Sequence, residues 1–384
     1  MKDNLKGHLQ SLIVFSFLQI LVAVSQVASG QVQFEGELLT AWIRGSQTPP
    51  IVTTSPNGTE REDAGVLGTS GAAVLYGGGP IDTEHRAGTR LALRWNSELE
   101  GNFGLYLSGL HVGDSEDDFV LASNKLGIPI LSRPFFNANT LKQDAELVAY
   151  PNVLNGQVSV ATDSELYGVD SGVIFNWKRT DSRKVDLLCG YRFLSFIDAF
   201  HVREELTSTD LGGFIPVDTQ FIVEDRFSTI NYFHGGRFGL AFVKSTGNWR
   251  LGSEINVAFG GLTRRSQIRG GTRVEIPGLT PDQYDVGLLA MPTNSGTNRS
   301  STFAAVPDLK LKGSRVVNHF LSLDFGYNLL IVPDLWRAAE QIDYTVNESQ
   351  LGGGILVGTP RPMSIASSSD LWLQCLSIGV TLQR

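Results

Sequence analysis

His319, Ser322 and Asp324 bring an imidazole, a hydroxyl and a carboxylate into one short stretch, and those are the parts of a hydrolytic triad. Spacing decides against it. Leu321, Leu323, Phe325 and Tyr327 alternate there with polar residues as a β-strand does, and positions three apart on a strand face opposite sides, so His319 cannot reach Ser322. Glu116, Asp117 and Asp118 form an acidic run with the oxygen donors that Ca²⁺ needs, yet in an exposed segment such a run reads first as a solvated loop. After residue 30 there is no Gly-rich phosphate loop, no His/Cys cluster at metal-ligand spacing and no Gly-x-Ser-x-Gly elbow. The sequence therefore predicts no catalytic, cofactor-binding or metal-binding residues and a protein that is not an enzyme. A formal net charge of -8 argues against a nucleic-acid partner.

The chemistry left to explain is that of ionised residues placed at strand spacing. Trp249, Leu251, Ile255, Val257 and Phe259 share one parity, while Arg250, Gly252, Glu254 and Asn256 share the other. Phe238, Leu240 and Phe242 repeat the pattern against Arg237 and Gly239, and the turn-rich Ser245-Thr246-Gly247-Asn248 joins the two runs as a hairpin. Three more hairpins obey the same logic: Leu91–Trp95 with Phe103–Leu107, Val169–Trp177 with Val185–Phe193, and Leu309–Leu311 with Leu321–Leu329, where Pro307 is expected to shorten the first strand. Phe34 to Ile43 and Leu371 to Leu382 remain, one at each end; if they pair, the sheet has no open edge.

The connections alternate strictly. Short joins run Ser97 to Glu100, Lys178 to Arg183, Lys244 to Asn248 and Lys312 to Val316, and long ones cover about 45–87, 113–160, 199–226, 265–300 and 331–369. A soluble exported β-sandwich could alternate strand faces, but it does not need this rhythm of loop lengths. The pattern predicts an all-β fold, a closed antiparallel transmembrane β-barrel of about ten (10–12) strands, with short periplasmic turns and long extracellular loops. An Arg facing lipid near the bilayer midplane costs about 2–4 kcal/mol, so the charged parity is expected to face the lumen. That set is Arg90, Arg94, Asp170, Asp186, Arg192, Arg237, Arg250, Glu254 and Asp324, and mixed signs in a narrow barrel favour pairing over a selective pore. Trp95, Trp177, Trp249 and Tyr191 are expected to form an interfacial girdle. Gly235-Gly236 and Gly260-Gly261 read as places where the sheet curves or bulges.

Lys2 and Lys6, an apolar run from Leu12 to Val24 and Ala28-Ser29-Gly30 read as a cleavable signal peptide over 1–30, leaving one domain over 31–384. No later stretch is long enough for a spanning helix, and a mean hydropathy of -0.01 is uninformative, because a barrel strand shows lipid only every second residue. Cys189 shares parity with Val185, Leu187 and Tyr191, Cys375 with Ser377, Gly379 and Thr381, so the two are predicted on opposite faces with no disulfide between them.

These residues also carry a likeness. Glu37-Leu38-Leu39 with Trp42, Pro49-Pro50-Ile51-Val52-Thr53-Thr54, Val74-Leu75-Tyr76-Gly77-Gly78 and Gly88-Thr89-Arg90-Leu91 come first. Arg133-Pro134-Phe135-Phe136-Asn137, Asp186-Leu187-Leu188-Cys189-Gly190-Tyr191-Arg192-Phe193, Phe325-Gly326-Tyr327-Asn328 and Gln341-Ile342-Asp343 come after them in order. In this the chain resembles the beta-barrel porin family numbered seven, outer-membrane proteins found chiefly in planctomycete bacteria, over nearly its whole length after residue 30. The resemblance implies an outer-membrane barrel in contact with outer-membrane lipids and the barrel assembly machinery, and brings no catalytic residues. One departure is the end, Thr381-Leu382-Gln383-Arg384, where such barrels usually carry a terminal aromatic residue. The expected role is porin-like or structural, with at most a narrow pore; the alternative is a barrel-anchored binding or adhesion protein acting through its long outer loops.

Overall fold

The structure is a computed structural model and describes residues 30–97 and 102–384, so the predicted signal peptide and most of the join at Ser97 to Glu100 lie outside the described residues. The strands in chain order are β1 (Gly30–Ile43), β2 (Ser46–Thr54), β3 (Ala73–Ile81), β4 (His85–Ser97), β5 (Phe103–Ala122), β6 (Leu131–Asn137), β7 (Lys142–Ala149) and β8 (Leu154–Arg179). They continue with β9 (Arg183–Ser208), β10 (Gln220–Thr246), β11 (Trp249–Glu275), β12 (Asp282–Tyr284), β13 (Gly296–Val316), β14 (Leu321–Leu335), β15 (Thr345–Val346) and β16 (Ser369–Gln383).

Ten of these form a ring of antiparallel neighbours in the order β1-β4-β5-β8-β9-β10-β11-β13-β14-β16. The two terminal strands close it, with β1 lying along β16 from Gln33 opposite Gln383 to Ile43 opposite Leu373. Closure pairs both edges of the ring toward the turns, which makes an apolar exterior tolerable there; at the loop end β13 runs on from Gly296 to Pro307 without β14 beside it. The chain carries more strands than the about ten expected: β2, β3, β6, β7 and β15 build a second, smaller sheet from segments read as loops, and β12 adds a short edge to β11.

The ring strands also run past the bounds read for the long connections. β5 continues to Ala122, β9 to Ser208 and β11 to Glu275, while β10 starts at Gln220 and β13 at Gly296. The cause is an inversion of amphipathicity. In β9 the odd residues Val185, Leu187, Tyr191 and Phe193 are apolar and outward; from Phe196 upward the even residues Phe196, Phe200 and Val202 are apolar and buried inside, and the odd ones become His201, Arg203 and Glu205. β10 and β11 invert at the same level. Below it the outside is apolar, as lipid requires; above it the inside is apolar, as in a water-soluble sheet.

Two local readings are corrected. β13 runs unbroken through Pro307, which stands opposite Val257 of β11 one residue before the pairing with β14 begins at Asp308. The last hairpin turns at 317–320, not at Lys312 to Val316. Gly235 stands opposite Gly260, and a Cβ on Gly260 would meet the His234 carbonyl and the Gly235 Cα, so the backbones approach where a side chain has no room.

Candidate functional site

The interior is layered from the turn end to the loop end. A cavity of about 570 Å³ runs from Gln33, Asn96, Arg250 and Gln383 at the turn end up to Arg90 and Asn328. Along its wall the charges interlock across the ring. Arg94 of β4 reaches Glu254 of β11 at 2.9 Å, Arg237 holds the other oxygen of Glu254 at 2.6 Å, and Lys312 joins Glu35 at 2.9 Å to Asp324 at 3.1 Å. Arg90 bonds Glu37 at 3.1 Å and Asn328 at 2.8 Å. Arg192 grips Asp170 with two nitrogens at 2.7 and 2.8 Å and reaches Asp308 at 2.5 Å. Such forked, opposed pairs are short and directional, and each removes a charge from any would-be solute path.

Each residue singled out for the lumen thus has a place. Arg90, Arg94, Asp170, Arg192, Arg237 and Glu254 come together in the cross-ring network; Asp324 joins it through Lys312, Asp186 sits with Lys184 at 3.0 Å, and Arg250 stands at the turn end against Gln383 at 3.3 Å. Sequence reasoning missed Glu35, Glu37, Asp308, Lys310 and Lys312. The signal was present, since Asp308, Lys310 and Lys312 alternate with Leu309 and Leu311. Trp95, Trp177 and Trp249 lie beside the turn end, with Trp177 70% exposed on the outside. Tyr191 is not with them: it sits well up β9, bonded to His234 near the level where the faces invert.

The next layer is dry. Leu39, Val112, Leu166, Leu194, Phe233, Ala258, Leu262, Val306, Leu330 and Leu373 point in from nine of the ten strands and pack into one cluster. Voids of about 10 and 30 Å³ are found within this layer and where it meets the charged one, room for a water molecule and little more. Above this stopper, the β14–β16 connection folds into the ring. Arg337 binds Asp198 at 2.8 Å and Asp82 at 3.3 Å, Arg86 takes the other oxygen of Asp82 at 2.6 Å, and the Trp336 carbonyl accepts from Thr229 and Asn231. The smaller sheet caps the loop end, clasped by Arg133 of β6 to Glu204 of β9 at 2.5 Å and to Asp225 of β10 at 2.7 Å. Asp225 also accepts the amides of Leu289 and Ala290, drawing the β11–β13 connection into the same core.

Near that clasp the Glu146 carboxyl is held well above the ordinary carboxylate range, by burial first and then by the charge of Glu204, and one of its oxygens has no hydrogen-bond partner. A pKa raised in the folded state means that this group favours the cap in acid and that its contribution is lost as pH rises past the ordinary carboxylate range. Glu146→Gln removes the ionisation and keeps the shape. Local opening of the β6–β7 hairpin, read by hydrogen exchange corrected for intrinsic rate, is expected to increase between pH 5 and 8 in the wild type and to increase less in the variant, where Glu204, also raised by burial, still titrates; parallel curves would acquit Glu146.

His319 lies in the 317–320 turn with its ring against Phe320, away from the inward Ser322 and Asp324, so no triad forms. Asp118 is exposed on β5, and the side chains of Glu116 and Asp117 lie outside the description; among the described residues there is no group of three or more metal-ligating side chains. Cys189 and Cys375 are free thiols, the first partly exposed and the second buried in the lumen. As an arrangement of chemistry, the interior can hold a wall rigid and block it.

Among solved structures the chain is similar to the outer membrane protease OmpT from Escherichia coli, at 9% identity and a TM-score of 0.44 over 94% of this chain and 99% of that one. It is also similar to a Pseudomonas aeruginosa FadL homologue (9% identity, TM-score 0.26, 92% and 90% covered) and the P. putida toluene transporter TodX (7%, 0.20, 94% and 91%). No curated protein matches. What identifies the chain is its own length of ring and cap together, since residues 34–383 match the family described as Putative beta barrel porin-7 (BBP7), and the protein belongs to that family.

Proposed function

We propose that this protein is an integral outer-membrane β-barrel with a stoppered lumen, a structural or low-conductance envelope protein and not a general diffusion pore. The observation that carries this reading is the pairing of an apolar exterior with a dry interior layer at the height where the faces invert. The exterior has the right size. On β11 the outward apolar run from Trp249 to Phe259 is ~33 Å along the strand at ~3.3 Å per residue, or ~25 Å of height at a tilt of ~40°, the height of a barrel's lipid-facing band. Ten strands also leave an interior of the size that side chains fill, whereas aqueous channels belong to barrels of about sixteen.

Membrane fractionation with a heat-modifiability gel tests the barrel, and planar bilayers test the stopper: the purified wild type is expected to give no large, stable conductance steps, and their appearance would overturn the reading. A point variant separates lipid contact from mere exposure. Phe238→Arg on the exposed outer face should cost about 2–4 kcal/mol of folding stability in lipid vesicles, measured by urea titration, because the new charge meets acyl chains. An unchanged midpoint would mean that this face does not meet lipid.

A second reading, binding at the cell surface, draws on the loop end, where Leu211 and Phe214 stand exposed on the β9–β10 connection. Deleting 210–216 should abolish adhesion if the loops act, and leave any ion flux unaltered.

A further inference from the structure

Resting on the membrane reading above, we propose that the outer face of β10, β11 and β13 carries a binding site for a phosphate-bearing lipid headgroup of the outer leaflet, formed by Arg226, Arg265, Arg269 and Arg299. The ladder sets these arginines against one another. Arg265 lies directly opposite Arg299, and Arg269 directly opposite Arg226. Like charges at directly opposed positions destabilise a sheet, and among the described residues the only acid in reach of either pair is Glu224, beside Arg226. Arg226 shares Glu224 with Arg203, but Arg265, Arg269 and Arg299 have no carboxylate within ion-pair distance among the described residues. Four guanidinium groups with one shared carboxylate lack anionic charge, and what they lack must come from outside the chain.

Their height says from where. Tyr232, an amphipathic ring suited to the membrane boundary, is opposite Thr263, and Phe303, strongly exposed, is opposite Gly261. Arg265 is two residues beyond Thr263, ~5 Å higher on a strand tilted by ~40°, and Arg269 is ~10 Å higher again. That places Arg265 and Arg299 level with Ile230 at the upper edge of the apolar face, and Arg226 and Arg269 above it, at the depth of headgroups and not of acyl chains. Guanidinium groups bind phosphate through paired N–H donors, and a cluster spread over this height suits a headgroup bearing more than one phosphate.

The test uses the full chain in nanodiscs of phosphatidylcholine with or without bisphosphorylated lipid A, read by native mass spectrometry and by the unfolding temperature. The wild type should retain lipid A, and Arg265→Gln with Arg299→Gln should retain at least tenfold less, while the double Lys variant keeps part of the binding. Stability should change sign with the lipid. In phosphatidylcholine alone Arg265→Gln raises the unfolding temperature, because it removes repulsion, and with lipid A present it lowers it. Equal retention by wild type and the double Gln variant, or the same sign in both lipids, would overturn the proposal. So would full stabilisation by millimolar inorganic phosphate without lipid A, which would make the ligand the free ion. Heat-modifiable migration confirms that each variant is folded. A wild-type chain found in the soluble fraction would sink the membrane reading itself, whereas an inserted barrel indifferent to lipid A would sink this site alone.

Discussion

Replacing Arg133 by leucine is expected to cost the loop-end cap about 3–5 kcal/mol, because it strands two carboxylates where water does not reach. Arg133 is 1% exposed and Glu204 and Asp225 are both 0% exposed, so one buried guanidinium faces both buried carboxylates. At 1.4 kcal/mol per decade, hydrogen exchange at the β6 amides should accelerate by about 10²- to 4 × 10³-fold, with the ring amides much less affected. The loss should shrink in acid, since an orphaned carboxylate escapes its cost by taking up a proton. Adding Glu204→Gln and Asp225→Asn to Arg133→Leu should restore part of the stability, for the carboxamide that replaces the Asp225 carboxylate can still accept the Leu289 and Ala290 amides through its carbonyl oxygen. If Arg133→Leu moves cap exchange less than threefold, the clasp is not what seats the smaller sheet on the ring.

The half of the molecule toward the turns was legible because one physical rule governs it. An apolar exterior on one side and ion pairs on the other keep apolar and charged residues on separate parities, as in Trp249 to Phe259 against Arg250 and Glu254, and tight turns hold the register. Legibility failed where the rule changes. A search for continuing outward apolar residues along β9 ends at Phe193 and takes the residues beyond it as a loop, although Phe196, Phe200 and Val202 continue the alternation on the other parity. Read for an inversion instead of an ending, the same residues locate the level at which the apolar face passes from outside to inside.

The smaller sheet was hidden for a different reason. β2 contains Pro49 and Pro50, and β3 pairs with it through register shifts near Val52, so neither has the clean period of two that marks a ring strand. Its partners are distant in sequence: Arg133 bonds Glu204 and Asp225, and Arg337 bonds Asp198 and Asp82. Nothing local in the Arg133-Pro134-Phe135-Phe136-Asn137 segment announces that its arginine will lie buried between two acids of the wall. The lumen charges were legible one at a time, and their pairing across the ring, Arg94 to Glu254 above all, was not, because the strands that meet there are five apart in ring order.

Thinning the dry layer should create a conductance that the wild type lacks. Leu194, Phe233 and Leu262 line one void of about 10 Å³ and come from three successive ring strands, so Leu194→Ala, Phe233→Ala and Leu262→Ala together merge their vacated volume into a single gap. Each truncation costs about 2–5 kcal/mol in a core that cannot collapse, and a closed ladder of backbone hydrogen bonds limits collapse. The gap then meets the charged layer beneath, whose cavity wall carries nine cationic residues, Arg90, Arg94, Arg179, Arg183, Lys184, Arg237, Arg250, Lys310 and Lys312, against six acids, Glu35, Glu37, Asp170, Asp181, Asp186 and Glu254. An excess of positive charge along a narrow path favours anions, so small steps with a reversal potential toward chloride are expected in a KCl gradient. Arg192→Met in the same background should enlarge those steps, since it unties Asp170 from Asp308 across the passage. A triple variant that remains folded, judged by its heat-modifiable migration, and still passes no current would show that the seal lies in the capping connections around Arg337 and not in the strands.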